Sequence, residues 1–290
     1  MAMTAAIQDK AKQLLENEQV SCVVGYEVGS RGYTRPAFIY QVNDVERLIW
    51  NQACTHNLTS YIRHILQGIS DDETTAQRIA VVIKPCDSRA INVLLSENQF
   101  SREQVHLIGV TCEGIVDGAG YMHVDSDGLQ ARCQRCSKRV PIVYDTLIGE
   151  PPQVEAVDVY SVLKNIDDLT ATERSEFWLS HFDRCIRCYA CRQVCPMCHC
   201  PVCLYERDDS LWTGMGIRLN EKRTFHLGRA YHLAGRCIGC NECERVCPMN
   251  IPISLLNLML AREMEKAFGF RAGLSAAPSP LVTIISEEES

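Results

Sequence analysis

Residues 78–112 read RIAVVIKPCDSRAINVLLSENQFSREQVHLIGVTC. The run 78–84 is apolar and β-branched at most positions, and 105–110 (VHLIGV) has the same character. A strand with one wet face alternates apolar and polar residues, whereas a near-continuous apolar strand is covered on both faces. Between the two runs, residues 88–96 suit a helix with Asp87 as its cap. Strand, helix and strand within about 35 residues make a βαβ unit and predict a parallel sheet with flanking helices. Cys86 directly follows the first strand and Cys112 comes two residues after the second. In a parallel sheet both fall at the carboxyl edge, where open α/β folds bind their ligands.

Outward from this unit, residues 5–16 place Ile7, Ala11, Leu14 and Leu15 on one helical face. Residues 20–24 and 37–42 are short strand-like runs. Residues 57–67 carry Leu58, Tyr61, Ile62, Ile65 and Leu66 in the stripe of a surface helix. Residues 1–150 therefore predict an α/β domain with a mixed or parallel sheet. Glu150-Pro151-Pro152 marks the boundary. Residues 151–290 predict a second, α+β but mainly helical domain. It opens on the capping box Thr170-Ala171-Thr172-Glu173, continues through a short helix over 225–234, and closes on a helix over 255–268 after Pro252. Residues 275–290, with two prolines and Glu287 to Glu289, read as an extended tail.

The chain has 17 cysteines, 11 of them between Cys185 and Cys247. Cys185-x2-Cys188-x2-Cys191-x3-Cys195-Pro196 is followed by Cys237-x2-Cys240-x2-Cys243-x3-Cys247-Pro248. This is the run of two-cluster ferredoxins, in which three closely spaced cysteines wrap one face of a [4Fe–4S] cube and the fourth ligates the other cluster. The pattern assigns Cys185, Cys188, Cys191 and Cys247 to one cluster, and Cys237, Cys240, Cys243 and Cys195 to the other. Structural zinc is the competing reading, but zinc motifs present pairs of cysteines rather than quartets ending in Cys-Pro. Cys198, Cys200 and Cys203 lie between the quartets. They read either as ligands of an additional site completed by Cys54 or a partner subunit, or as a loop shielding the neighbouring cluster from water. In the first domain, Cys86, Cys112 and the pair Cys133-x2-Cys136 are four thiols on three loops. They read as one metal site, as zinc, or as buried thiols. Cys22 and Cys54 read as core residues.

Other features exclude functions. With 29 Lys plus Arg against 36 Asp plus Glu, the net charge is −7, which is unsuited to holding a phosphate backbone. The longest apolar runs, 79–83 and 255–260, fall far short of the ~20 residues of a membrane span. Asp9, Lys10, Lys12 and Glu16 interrupt any export signal at the N-terminus, so the expected location is cytoplasmic, where abundant thiols serve metal or redox chemistry. Gly214-x-Gly216 has neither a third glycine nor a preceding strand, so it is no dinucleotide fingerprint. His226 and His232 read as satisfied surface or core groups, and Lys138-Arg139 as a solvated loop or the counter-charge of an anion.

The order Lys84-Pro85-Cys86-Asp87, Cys112, Cys133-x2-Cys136 resembles the catalytic domain of the β subunits of deazaflavin (coenzyme F420)-reducing hydrogenases and formate dehydrogenases. The runs CIRCYACR from Cys185 and GRCIGCNEC from Gly235 are similar to the dicluster module fused to that domain in bacterial and archaeal versions. Here the module follows the other domain, whereas in the family it commonly precedes it. The resemblance implies FAD beside a third [4Fe–4S] cluster on Cys86, Cys112, Cys133 and Cys136. It also implies partner subunits of a dehydrogenase, hydrogenase or heterodisulfide-reductase-like complex, and a soluble ferredoxin among the electron carriers. The expected role is an iron–sulfur electron-transfer subunit of a multisubunit oxidoreductase. The alternatives are a catalytic subunit exchanging hydride with deazaflavin, and a zinc-stabilised scaffold without redox function.

Overall fold

A computed structural model describes residues 2–68, 78–116, 128–153, 156–207, 209 and 213–281. The chain divides into two compact units, residues 1–157 with 273–277, and residues 158–272 with 278–290. Residues 282–290, including Glu287 to Glu289 of the expected tail, lie outside the described residues.

In the first unit, α1 (Ala2–Glu16) buries the four residues on its expected face. β1 (Cys22–Val28) and β2 (Thr34–Ile39) pair antiparallel, and α2 (Thr59–Gly68) follows. The central unit is β3 (Ile79–Ile83), α3 (Pro85–Ser96) and β4 (Val105–Val110), after which come α4 (Ala131–Gln134) and β5 (Thr146–Ile148). The strands form one sheet in the order β2-β1-β3-β4-β5, parallel from β1 to β5. Every residue of β3 and β4 is buried, as two covered faces require.

Four local expectations are corrected. β1 continues past residue 24 through Glu27, whose buried carboxylate is held by Arg35 and Arg47 at 2.8 Å each. β2 starts before Pro36, because an edge strand tolerates a residue without an N–H. β5, only three residues long, is too short to announce itself by periodicity. Helix α3 begins at Pro85, so Asp87 lies inside the first turn rather than before it and accepts the Lys84 N–H at 2.9 Å.

The second unit consists of α5 (Lys164–Asp167), α6 (Ala171–Asp183), α7 (Ala190–Gln193), α8 (Leu219–His232), α9 (Glu242–Arg245) and α10 (Ile253–Phe268). Its described residues contain no strand, so the α+β expectation is corrected to helical. Much of the connecting chain is spent on tight cysteine loops, which leaves little extended backbone to pair. The Thr170 box caps α6, with Thr170 N–H donating to Glu173 at 2.8 Å and Glu173 N–H donating back at 3.3 Å. α8 starts six residues before its expected position at 225, through polar residues that hide its periodicity. Ile166, Trp178, Phe182, Ala230 and Leu256 form one core of this unit. Phe225, Tyr205, Ile251 and Ile253 form another together with Cys185, Cys191 and Cys243.

Candidate metal centres

The two cysteine runs fold into the same backbone. In the first, Arg187 and Tyr189 have φ of 53° and 58°; in the second, Gly239 and Asn241 have 71° and 54°. These left-handed residues turn the chain sharply between cysteines, and each loop then enters a one-turn helix, α7 or α9. Left-handed non-glycine residues are strained, and Arg187 is held in place by its side chain. Its guanidinium is buried and donates to the Gly214 and Tyr205 carbonyls at 3.0 Å each and to the Tyr189 hydroxyl at 2.8 Å. Such left-handed residues can turn backbone N–H groups inward, as in the anion-binding nests of iron–sulfur sites. The Arg187 N–H donates to Cys185 Sγ at 3.3 Å, and the Ile251 N–H to Cys247 Sγ at 3.5 Å.

Each loop faces a recess. Cys185, Cys188 and Cys191 line the first together with Cys247, Phe225, His226 and Met249. Cys237, Cys240 and Cys243 line the second together with Cys195, Ile238, Ser254 and Asn257. Burial pushes the Cys185, Cys240 and Cys243 thiols up, and Cys191 to about 11. Cys195 differs: a hydrogen bond from the Cys198 thiol outweighs burial and lowers it. The buried Arg229 donates to the Cys191 carbonyl at 2.9 Å and interacts electrostatically with Cys195, Cys198, Cys243 and Cys191. A buried cation among thiolates offsets part of the charge that four sulfur ligands concentrate.

The remaining cysteines between the quartets are dispersed. Cys198 engages Cys195, Cys203 packs against the Phe225 core, and Cys200 is exposed with its carbonyl held by Arg192 at 2.6 Å. Among the described residues, no three His, Cys, Asp or Glu side chains close on a single ion.

In the first unit, the register pairs Ile83 with Gly109, so Cys86 and Cys112 stand three residues beyond paired positions at the carboxyl edge. Cys112 packs with Ile115 and Cys133, and Cys133 Sγ accepts the Ile115 N–H at 3.3 Å. Burial drives the Cys86 thiol well up and the Cys112 thiol to about 11. Cys86 interacts with Cys112, and Cys112 with Cys133 and Cys136. The backbone of Lys138-Arg139 ties these loops: the Lys138 carbonyl accepts from Cys136 Sγ at 3.0 Å and the Arg139 carbonyl from the Cys112 N–H at 2.9 Å. Residues 117–127, within the segment joining Cys112 to Cys133, lie outside the described residues. Beside the thiols, Lys84 Nζ meets Asp87 at 3.1 Å, both fully buried, and the Arg132 guanidinium holds Thr55.

Two residues escaped sequence reasoning. Cys54, read as a core thiol or as the completing ligand of a site between the quartets, instead interacts with Cys112 and Lys84 and is raised to about 12 by burial. His226, read as a satisfied histidine, is 3% exposed and has no hydrogen-bond partner on either ring nitrogen. No spacing motif includes either residue, so the sequence carries no signal for them.

The cysteine loops lie in a segment of known type: residues 181–251 match the 4Fe-4S dicluster domain family. The resemblance to deazaflavin-dependent formate dehydrogenase β subunits extends along nearly the whole chain. It is 23% identical, over 94% of its length, to the F420-dependent formate dehydrogenase subunit beta of Methanocaldococcus jannaschii, and covers 92% of that protein. It is 23% identical over 93% of its length to the F420-dependent formate dehydrogenase 1 subunit beta of Methanococcus maripaludis, and covers 90% of it. A shorter match, 33% identical over 32% of this chain, covers 17% of one component of the ion-translocating oxidoreductase complex of Buchnera aphidicola.

Proposed function

We propose that this chain is the iron–sulfur electron-transfer subunit of a multisubunit oxidoreductase of the formate dehydrogenase type, located in the cytoplasm. Two recesses, each lined by four thiols and each drawing one cysteine from the other run, carry this reading. Cys185, Cys188, Cys191 and Cys247 would hold one [4Fe–4S] cluster, and Cys237, Cys240, Cys243 and Cys195 the other. The donor sets fit. Thiols around one zinc stand only ~3.8 Å apart, from Zn–S bonds of about 2.3 Å; among the described residues no three such side chains close on a single ion, whereas four thiols lining one recess suit the four iron corners of a cube. Such clusters supply one-electron transfer. The protein's residues hold the thiolates, turn backbone N–H groups toward them and exclude water with Phe225, Ile251 and Ile253. Because burial raises the thiols of Cys185, Cys191, Cys240 and Cys243, iron uptake there releases protons.

A third cluster on Cys86, Cys112, Cys133 and Cys136 belongs to the proposal, supported by their gathering at one sheet edge. Cys198, Cys200 and Cys203 read as the protective loop, since among the described residues they close on no common site. FAD rests on the family resemblance. The recess lined by Asn92, Phe100, Arg102 and Val143 lies at the amino end of β4, and its Arg102 is held by Asp145 at 2.8 Å. It does not suit a flavin that meets Cys86 and Cys112, so no step is routed through one. The names of the two methanogen relatives favour a second reading, direct exchange with F420. Adding F420 to the isolated chain, reduced beforehand with dithionite and freed of excess reductant, tests it, and F420 reduced at the expense of the chain's stored electrons would support it. Among the described residues the redox chemistry concentrates on thiols, which favours the wire.

The decisive experiment is Cys195→Ser in the anaerobically reconstituted chain, read by EPR. The cluster of Cys237, Cys240 and Cys243 is expected to be damaged while the other survives. Loss of only the Cys185 cluster contradicts the assignment, and stoichiometric zinc in a colourless protein contradicts the whole reading.

A further inference from the structure

His226 lies on α8 with its ring stacked on Phe182, centroids 4.7 Å apart and planes 10° from parallel, and edge-on to Phe225 at 5.0 Å. Two aromatic walls fix its orientation. Both ring nitrogens are buried and unpartnered, although the ring lines the recess of Cys185, Cys188, Cys191 and Cys247. Leaving a buried polar group unpaired is costly, so an imidazole held this rigidly calls for an acceptor that the described residues do not supply. Burial, with Arg229, Arg187 and Lys222 nearby, keeps the ring in its neutral form, which carries one N–H. The lining of the second recess includes Ser254 and Asn257 but no histidine.

We propose that His226 is a positioning residue whose ring N–H donates to a sulfur of the cluster held by Cys185, Cys188, Cys191 and Cys247, raising the reduction potential of that cluster alone. The inference rests on the ligand assignment above. A donor to sulfur stabilises the reduced, more negative cluster more than the oxidised one, and such bonds are among the means by which proteins set cluster potentials. The pair would then be unequal by construction, with electrons favouring the His226 side relative to a cluster without the bond.

The test is an EPR-monitored redox titration of the full chain, reconstituted anaerobically. His226→Phe keeps an aromatic ring against Phe182 and removes both nitrogens; His226→Gln restores a donor. Cys188→Ser, at the exposed ligand, identifies which signal belongs to the first recess. His226→Phe is expected to keep its iron and to shift that signal tenfold in the one-electron equilibrium, about 59 mV downward, with the second signal unmoved and His226→Gln recovering part of the shift. In the wild-type chain, ¹⁵N-histidine should show hyperfine coupling to the reduced first cluster, and this measurement decides the matter should His226→Phe fail to load iron. Unmoved potentials in a loaded His226→Phe chain, or no ¹⁵N coupling in the wild type, overturn the inference. If instead Cys188→Ser leaves both signals intact, the ligand assignment is what fails.

Discussion

Lys84→Met removes an ammonium from the carboxyl edge of the sheet and leaves Asp87 behind. Both side chains are fully buried, with Nζ 3.1 Å from the carboxylate. Lys84 also contacts the Tyr26 hydroxyl, donates to the His56 carbonyl at 2.5 Å and lies 4.7 Å from the centre of the Tyr26 ring. Methionine replaces most of the aliphatic stem, so the loss is mainly electrostatic. Breaking a buried pair from one side costs ~3–5 kcal/mol. Here the lower end applies, because Asp87 retains the Lys84 N–H at 2.9 Å and the His56 carbonyl retains the Tyr26 hydroxyl at 2.6 Å. About 3 kcal/mol corresponds to amide exchange more than ~100-fold faster wherever exchange requires opening of this unit. Hydrogen exchange by mass spectrometry across β3 and α3 of the full chain is the assay. Lys84→Met combined with Asp87→Asn removes the orphaned charge and should recover most of the loss. Exchange in Lys84→Met within about threefold of wild type, or a double variant less stable than the single, would refute the reasoning.

Two further outcomes follow from the first unit. Gly273 has φ +75°, and a Cβ there would stand 2.2 Å from the Arg89 carbonyl oxygen. Gly273→Ala should cost ~2 kcal/mol or more through the left-handed conformation and the clash, while Asn92→Ala, which loses only a 3.0 Å bond to the Gly273 carbonyl, should cost ~1 kcal/mol. Limited proteolysis after α10 reads the difference, and equal resistance of both variants would contradict it. Asp145 is held below the usual carboxylate range: burial raises it, but the Leu107 N–H at 2.7 Å and Arg102 outweigh that. A depressed carboxylate contributes stability above its unfolded pKa and loses it as pH falls through the folded value. Asp145→Asn should therefore be less stable at neutral pH and show a flatter acid limb below about pH 4; superimposable acid limbs of wild type and variant would argue against it.

Periodicity and spacing, which are local properties, were legible in the chain. β3 and β4 are apolar at almost every position because both faces are covered, and that pattern alone places Cys86 and Cys112 at one edge. The doubled quartet likewise announced two loops of one backbone, since cysteines at the same short intervals call for the same sharp turns. Where a polar residue or a proline interrupts an element, the local signal falls short of the element's bounds. Glu27 did so in β1, Pro36 in β2 and the charged first turns of α8, and in each case a long-range partner or an edge position offsets the interruption.

What only the tertiary structure decided is the company each side chain keeps. Arg187, Arg229 and His226 look like ordinary members of polar stretches, yet all three are buried beside the cysteine loops. Their roles depend on helices and loops that meet far apart in sequence: Arg229 reaches back 38 residues to the Cys191 carbonyl, and His226 stacks on Phe182 from another helix. Cys54 became a neighbour of Cys112 in the same way. A motif records residues that must be close along the chain, whereas burial, charge balance and an unsatisfied nitrogen arise only when distant segments pack and water leaves.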